Sequence, residues 1–282
     1  MPRIALVLEY DGSAYRGWQS QPDAPSVQAE VERALSFVAN HPVQVITAGR
    51  TDSGVHACMQ VVHFDTTAER GSRAWILGSR SELPKDISVS WAKVVSDSFH
   101  ARYSAIARSY RYLILNRTER PALERNRVCW TRRSLDAQRM HVAAQCLVGE
   151  HDFSSLRAAE CQSHSPIRRL ESIAVTRVGD YLAIDVTANA FLQHMVRNIA
   201  GMLLAIGVGD NPVEWAAAVL AARDRRLAGV TAPPQGLYLV GVRYPEEFAL
   251  PIAPSSMWHS SGDLIATSGP RIDAAGLKSP VT

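Results

Sequence analysis

The chain has 282 residues, 46% hydrophobic and 20% charged, a composition typical of a globular protein with about two domains. The apolar run before Glu9 is too short for the hydrophobic part of a signal peptide. The longest run of low polarity, at 199–209, is too short to span a bilayer. We therefore expect no membrane segment and a cytoplasmic location.

Cysteine and histidine spacing gives no sign of a metal site or a disulfide framework. The four cysteines, at 58, 129, 146 and 161, form no CxxC pair, and the nine histidines form no HExxH motif. We expect reduced thiols and no metal.

Charge is unevenly distributed along the chain. The net charge is +3, yet residues 100–140 hold ten arginines and three acids, a local charge of +7. Such a stretch favours a polyanion site, and planar guanidinium groups suit bidentate phosphate contacts. The high arginine content fits a GC-rich genome equally well, so nucleic acid is one candidate partner.

The first half of the chain is predicted to contain four strands and two helices. Strands are expected at 3–10, 43–48, 59–65 and 87–95, and helices after Ser26, as their N-cap, and at 73–79. The segment AGRTDSGVHA at 48–57 joins two of these strands. Its tip is therefore expected at a sheet end, where binding sites are often built.

The second half shows a comparable order of elements. It is predicted to hold a strand at 109–115, a helix at 135–147 capped by Ser134, a hairpin of strands at 169–177 and 181–187, a helix at 191–206, a helix opened by Asn211, and a closing strand at 237–244.

This order favours an α+β fold with a mixed, mostly antiparallel central sheet and flanking helices, in preference to a doubly wound parallel sheet. We predict two similar α+β lobes, at 1–104 and 105–245, that form one catalytic cleft. Residues 246–282 are expected to form a flexible tail, because Ser, Gly and Pro there replace periodic apolar residues.

Five motifs follow one another along the chain: YDGSAYRGWQSQ at 10–21, GRTDSGVHA at 49–57, FHARYSAIARSYRY at 99–112, NAFLQHMVRNIAG at 189–201 and GLYLV at 236–240. A lone aspartate in a turn is most often structural. Together, however, these motifs resemble the TruA family of tRNA pseudouridine synthases over about 10–251. One departure is local: Arg80 and Glu82 stand in a loop where relatives commonly have asparagine.

The resemblance implies isomerisation of uridine in tRNA to pseudouridine, at anticodon stem-loop positions usually numbered 38 to 40. This reaction needs no cofactor, which fits a chain without a dinucleotide or Walker motif. It needs an oxygen nucleophile that attacks either sugar C1′ or uracil C6, and a carboxylate can serve in both roles. Asp52 resembles the family's nucleophile.

Four further residues are implied to line the site. Arg197 resembles the arginine that pairs with the aspartate, although a surface arginine is an alternative. Tyr110 matches a tyrosine beside the target base, where spacing alone favours a core tyrosine. Arg50 resembles the arginine next to the nucleophile, and Leu237 is expected in the pocket wall. His56 is interpreted as a structural hydrogen-bonding residue.

The resemblance also implies a homodimer that binds tRNA. Two alternatives remain open at this point. A catalytically silent tRNA-binding protein would not need Asp52, Tyr110 and Arg197 together. An N-glycosidase usually needs two carboxylates at one bond, and the next acids, Asp65 and Glu69, follow at or beyond the far end of a predicted strand.

Overall fold

A computed structural model describes residues 1–251, and its centre is a ten-stranded mixed sheet. The strands are β1 (Arg3–Tyr10), β2 (Ile46–Thr47), β3 (His56–Asp65), β4 (Ile87–Val95), β5 (Ala107–Asn116), β6 (Cys129–Thr131), β7 (Gly149–Asp152), β8 (Ile167–Val178), β9 (Tyr181–Ala188) and β10 (Leu237–Arg243). Their order is β4-β1-β3-β10-β5-β9-β8-β7, with β2 beside β3 and β6 beside β5. Only the β3–β10 and β5–β6 pairs among these are parallel. The predicted α+β class with a mixed sheet is confirmed.

Five α-helices lie among the described residues: α1 (Val27–Ala39), α2 (Ser72–Glu82), α3 (Ala137–Ala144), α4 (Met195–Gly207) and α5 (Trp215–Ala222). Ser26 caps α1 as predicted, since its hydroxyl accepts a hydrogen bond from Ala29 N at 3.3 Å. Helix α4 is the most buried, because apolar side chains cover most of its circumference. None of the helices in 1–251 is long and apolar enough to cross a membrane.

The two halves of the chain meet in the middle of the sheet. Strands β4 and β1 lie beyond β3 on one side of the parallel β3–β10 pair, and β5, β9, β8 and β7 lie beyond β10 on the other side. One apolar core cluster draws residues from both halves. The lobe boundary at residues 104 and 105 stays a prediction.

The predicted tail falls largely outside the described residues. Its first part, Glu246–Phe248, forms a short 3-10 turn. The ring of Phe248 packs edge-on against Phe99, with centroids 5.2 Å apart. Residues 252–282 lie outside the described part of the chain.

Several predicted boundaries were wrong. The cap of α3 is Asp136 instead of Ser134, because the Asp136 carboxylate accepts a hydrogen bond from Arg139 N. The strand predicted at 43–48 is paired only over Ile46–Thr47. Helix α5 begins at Trp215, after Asn211. Helix α4 begins four residues later than predicted, because His194 adopts a left-handed conformation with φ of 61°.

Candidate active site

The AGRTDSGVHA loop enters β3 and is held by the first motif of the chain. Trp18 N donates a hydrogen bond to Thr51 O at 3.0 Å. Gly17 has φ of +101°, and a Cβ added there would lie 2.7 Å from Thr51 O. Only glycine tolerates both the positive φ and this close approach. The YRGWQ residues therefore form a backbone support for the loop that carries Asp52.

A buried polar group supports the same loop from within the sheet. The hydroxyl groups of Tyr10 and Thr51 lie 2.8 Å apart, and Gln60 Nε2 donates to Gly49 O at 2.7 Å. Burial raises the pKa of Tyr10 to about 12. The phenol therefore stays neutral near pH 7 and serves as a fixed hydrogen-bonding group.

Asp52 and Arg197, 145 positions apart in sequence, form an ion pair. Arg197 Nη1 lies 3.0 Å from Asp52 Oδ2, and the two side chains are 14% and 28% exposed. Arg197 Nε also donates to Ala232 O at 2.9 Å, while Ala232 N donates to Arg197 O at 3.0 Å. The guanidinium is thus held on its second side by backbone, which fixes the direction in which it meets the carboxylate.

His194 is a member of this group that the sequence reasoning missed. Its Nε2 lies 3.4 Å from Asp52 Oδ2, the same oxygen that Arg197 contacts. Its position in the motif was a usable signal, because His194 and Arg197 are three residues apart and residues so spaced share one side of a helical turn.

Tyr110 lies in β5 beside the loop. Its ring meets Phe191 edge-on, with centroids 5.0 Å apart, and its hydroxyl lies 3.6 Å from where a Cβ of Gly49 would be. Burial raises the pKa of Tyr110, and the neighbouring Tyr10 and Asp52 raise it further. The phenol is therefore neutral, and its hydroxyl makes no hydrogen bond with residues 1–251. Because the residue is 8% exposed, little of the ring face is open to a ligand.

Arg50 and Leu237 occupy contrasting positions. Arg50 is exposed on the AGRTDSGVHA loop and forms no hydrogen bond or ion pair within the described part of the chain. Leu237 is 6% exposed, begins β10 and lies opposite Tyr112, whereas Leu239 lies opposite Tyr110. Leu237 thus belongs to the apolar core that underlies the site.

His56 is a buried structural group. Its Nδ1 accepts a hydrogen bond from Gly12 N at 3.1 Å, so its proton sits on Nε2, which faces Asn126 O at 2.9 Å. Burial lowers the pKa of His56. The neutral ring also stacks on Tyr238 with centroids 4.7 Å apart. These contacts occupy both ring nitrogens and fit the predicted structural role.

Eight of the ten arginines at 100–140 fall into three groups in the structure. Three form ion pairs: Arg111 with Asp185, Arg127 with Asp11, and Arg133 with Asp210. Arg108 donates to the carbonyls of Ala48, Arg102, Ala105 and Asn189 and so joins three segments of the chain. Four others are exposed without an ion pair among residues 1–251: Arg102, Arg120, Arg125 and Arg132. Only part of the local +7 charge is therefore available to a polyanion.

The described residues contain no group of three or more His, Cys, Asp or Glu side chains arranged to hold a metal ion. The candidate site consists instead of one carboxylate, two nitrogen groups that contact it, and a neutral phenol. Such a set can provide an oriented anionic nucleophile.

Comparison with known proteins gives the family. The family model for tRNA pseudouridine synthase matches residues 6–104 and 143–245. The tRNA pseudouridine synthase A of Coxiella burnetii strain Dugway 5J108-111 is 58% identical over 254 residues, which is 90% of this chain and 97% of that protein. The protein of the same name from Nitrosococcus oceani is 56% identical over 258 residues, 91% of this chain and 100% of its own. The matches cover both halves of the sheet and both sides of the Asp52–Arg197 pair, and the chain belongs to the TruA family of tRNA pseudouridine synthases.

Proposed function

We propose that this protein converts uridine to pseudouridine in the anticodon stem-loop of tRNA, at positions 38 to 40, with Asp52 as the nucleophile. The observation that carries the proposal is the Asp52–Arg197 pair, in which a partly buried carboxylate meets a guanidinium at 3.0 Å. A charge-assisted contact with a planar guanidinium fixes the orientation of the carboxylate, as a nucleophile requires.

The isomerisation of uridine needs no oxidant, reductant or group donor. In one route, the carboxylate forms a bond to sugar C1′ while the C1′–N1 bond breaks. The electron pair of the broken C1′–N1 bond stays on uracil. The base turns, C5 bonds to C1′, and the carboxylate leaves with its electron pair. C5 then loses its proton and N1 gains one. In the other route the carboxylate adds to uracil C6 and the C5=C6 electron pair moves toward C5. The C1′–N1 bond then breaks, C5 bonds to C1′, and the carboxylate leaves C6 with its electron pair as C5 loses its proton and N1 gains one.

Tyr110 fits a supporting role beside the base. A neutral phenol oxygen can accept a hydrogen bond at the C5 position and help the proton leave. Its raised pKa and largely covered ring argue against a phenolate base and against full-face stacking. We therefore assign Tyr110 to contact the uracil through its hydroxyl and ring edge.

We assign Arg50 to the RNA around the flipped base. A base in a stem must leave its stack before Asp52 can reach it, at a cost of a few kcal/mol. Arg50 is exposed two positions before Asp52 and makes no contact within 1–251 that would hold its guanidinium elsewhere. It can hold a phosphate or fill the gap that the flipped base leaves. Leu237 contributes as part of the apolar floor.

A homodimer is part of the same proposal and rests on the family resemblance, and a cytoplasmic location rests on the short apolar runs of the sequence. The exposed arginines at 102, 120, 125 and 132 are proposed to hold phosphates of the tRNA outside the reacting pocket.

The experiment is incubation of the protein with unmodified tRNA that carries tritium at uridine C5, followed by counting of released tritium and chemical mapping of pseudouridine. We expect release in proportion to pseudouridine, with the modified positions in the anticodon stem-loop. Mapping outside the stem-loop would contradict the assigned positions while leaving the reaction intact.

The same reaction mixture tests hydrolysis, because an N-glycosidase would release free uracil. The next acid along the chain does not supply the second carboxylate that hydrolysis usually needs: Asp65 lies nine residues beyond His56, about 30 Å along β3, and is paired with Arg3 at 2.8 Å. We expect no free uracil above background. Its accumulation would overturn the isomerase assignment.

A further inference from the structure

His194 occupies a position that local folding does not explain. It stands at the N-cap of α4, where Ser, Thr, Asp or Asn are preferred, and its side chain makes no capping hydrogen bond. Its φ of 61° lies in the left-handed region, which residues other than glycine rarely adopt. Such outliers tend to occur where a side chain must be aimed at a functional group.

The imidazole is aimed at the proposed nucleophile. Nε2 lies 3.4 Å from Asp52 Oδ2, and the imidazole is 32% exposed. Arg197 Nη1 meets the same oxygen at 3.0 Å. Two nitrogen groups, one from the N-cap and one from the first turn of α4, therefore converge on one carboxylate oxygen.

The other oxygen, Asp52 Oδ1, makes no hydrogen bond or ion pair with residues 1–251. Oδ2, which accepts a hydrogen bond from Arg197 and contacts the imidazole of His194, is a weaker nucleophile than Oδ1, whose lone pairs are free of such contacts. The asymmetry also fixes the carboxylate plane, since a single contact would leave the group free to turn about its bond.

We propose that His194 is a positioning residue: with Arg197 it holds Oδ2 of Asp52, so that Oδ1 is the atom that attacks the substrate. This inference rests on the proposed role of Asp52. Oδ1 supplies the electron pair of the new bond whether the target is C1′ or C6, and in the C1′ route the pair of the broken C1′–N1 bond stays on uracil.

Three variants separate this role from a structural one. His194→Asn keeps a residue that tolerates the left-handed conformation but is too short to reach Asp52. His194→Gln places an amide N–H donor one carbon farther from the backbone than asparagine does. Gln193→Ala alters the exposed neighbour, which makes only a backbone hydrogen bond to Ala158, and is the matched control.

The measurements are the single-turnover rate of C5 tritium release at saturating enzyme and, separately, the tRNA dissociation constant. For His194→Asn we expect the rate to fall about tenfold or more, because the imidazole nitrogen that contacts Oδ2 is lost and the carboxylate can leave its reactive orientation. The dissociation constant should stay within about twofold, because the contact is to Asp52 and not to RNA. His194→Gln should recover part of the lost rate, and Gln193→Ala should match the wild type.

A saturated rate in His194→Asn within about twofold of the wild type would overturn the proposal. So would weakened tRNA binding with an unchanged saturated rate, which would make His194 an RNA contact. Equal rate losses in His194→Asn and His194→Gln that follow a lower melting temperature would show a structural role and also overturn it. Failure of the proposed function is distinguishable, because in that case Asp52→Asn would itself retain activity.

Discussion

At the scale of single residues, the site combines one carboxylate with donors that arrive from a different part of the chain. The Asp52 loop lies before β3, while Arg197 and His194 lie in the first turn of α4 and just before it. Asp52 is prominent in the sequence because its motif is compact. Its partners are 142 and 145 positions away, and no local rule of sequence pairs them.

Tyr110→Phe tests the phenolic oxygen. The hydroxyl makes no hydrogen bond within the described residues, so its removal should leave stability and tRNA affinity nearly unchanged. We expect the single-turnover rate to fall about tenfold or more if the oxygen assists loss of the C5 proton. Tyr110→Ala is a poorer test, because removing a buried ring leaves a cavity that costs about 3 to 5 kcal/mol. A wild-type rate in the Phe variant would mean that the hydroxyl has no part in the reaction.

At the scale of elements, the loop that carries Asp52 is shaped by contacts with the first loop of the chain. Gly17 lies against Thr51 and Asp52, and the hydroxyl of Tyr10 meets Thr51 from β1. Arg108, on β5, ties Ala48 to Asn189 and so joins the approach to the loop with the approach to α4. The two halves of the site are therefore linked by the side chain of Arg108 as well as by the Asp52–Arg197 pair.

Gly17→Ala should damage activity more than stability. The added Cβ would meet Thr51 O at 2.7 Å and must displace the loop. Because a shift of about 1 Å in a catalytic group can cost on the order of 100-fold in rate, we expect a loss of about tenfold or more. Gly179→Ala is the control: its φ is +55° and a Cβ there meets nothing within 4 Å. Equal single-turnover rates in the two variants would argue against the support role of Gly17.

His63 makes the stability of the sheet depend on pH. It is buried in β3, its Nδ1 accepts a hydrogen bond from Ala101 N at 3.1 Å, and burial, with smaller effects of Arg3 and His100, lowers its pKa to about 4. Between pH 6.5 and 4 the unfolded chain binds a proton that the folded protein does not. The free energy of unfolding is therefore unaffected by His63 above pH 6.5 and decreases as the pH falls below that value. At pH 5 protonation of His63 in the unfolded chain lowers it by about 2 kcal/mol.

Urea unfolding at pH 7 and pH 5 measures this effect. His63→Asn keeps an acceptor near the Nδ1 position and does not titrate, so its free energy of unfolding should fall less between the two pH values than that of the wild type. Parallel losses in both proteins would show that His63 does not contribute to the pH dependence.

At the scale of the whole molecule, the sequence predicted the class of fold, the mixed sheet and most strand positions, because alternation is a local property. Strand β4 was predicted to the residue. The left-handed conformation of His194 was not predicted, because the helix was expected to begin at residue 191. Apolar spacing in a sequence does not reveal the backbone conformation of a single residue. The ion pairs that neutralise Arg111, Arg127 and Arg133 were missed as well, since their acids lie far away in sequence.

The same distribution of charge predicts how tRNA binding depends on salt. Arg132 is exposed without an ion pair among residues 1–251, whereas Arg133 is held by Asp210 at 2.6 Å. If Arg132 neutralises a phosphate, Arg132→Gln should flatten the slope of log affinity against log salt by about 0.7 to 0.9. Arg133→Gln, the matched control, should change it less, because Asp210 already offsets that charge.

Titration of tRNA binding over a range of salt concentrations measures both slopes. The saturated single-turnover rate should stay at the wild-type value in both variants, because phosphate contacts position the RNA away from the reacting base. A slope that Arg132→Gln leaves unchanged would place this residue off the RNA-binding surface. A collapsed rate with unchanged affinity would place it in the pocket.

The most direct test of the account is the single-turnover release of C5 tritium by Asp52→Asn. The substitution preserves shape and removes one negative charge, so the fold should persist and affinity for the polyanionic tRNA should stay within about threefold. Without a carboxylate lone pair no covalent bond to the substrate can form, and we predict release at background and no mapped pseudouridine. Release by the purified, folded variant at a rate near that of the wild type would contradict the central claim that Asp52 is the nucleophile.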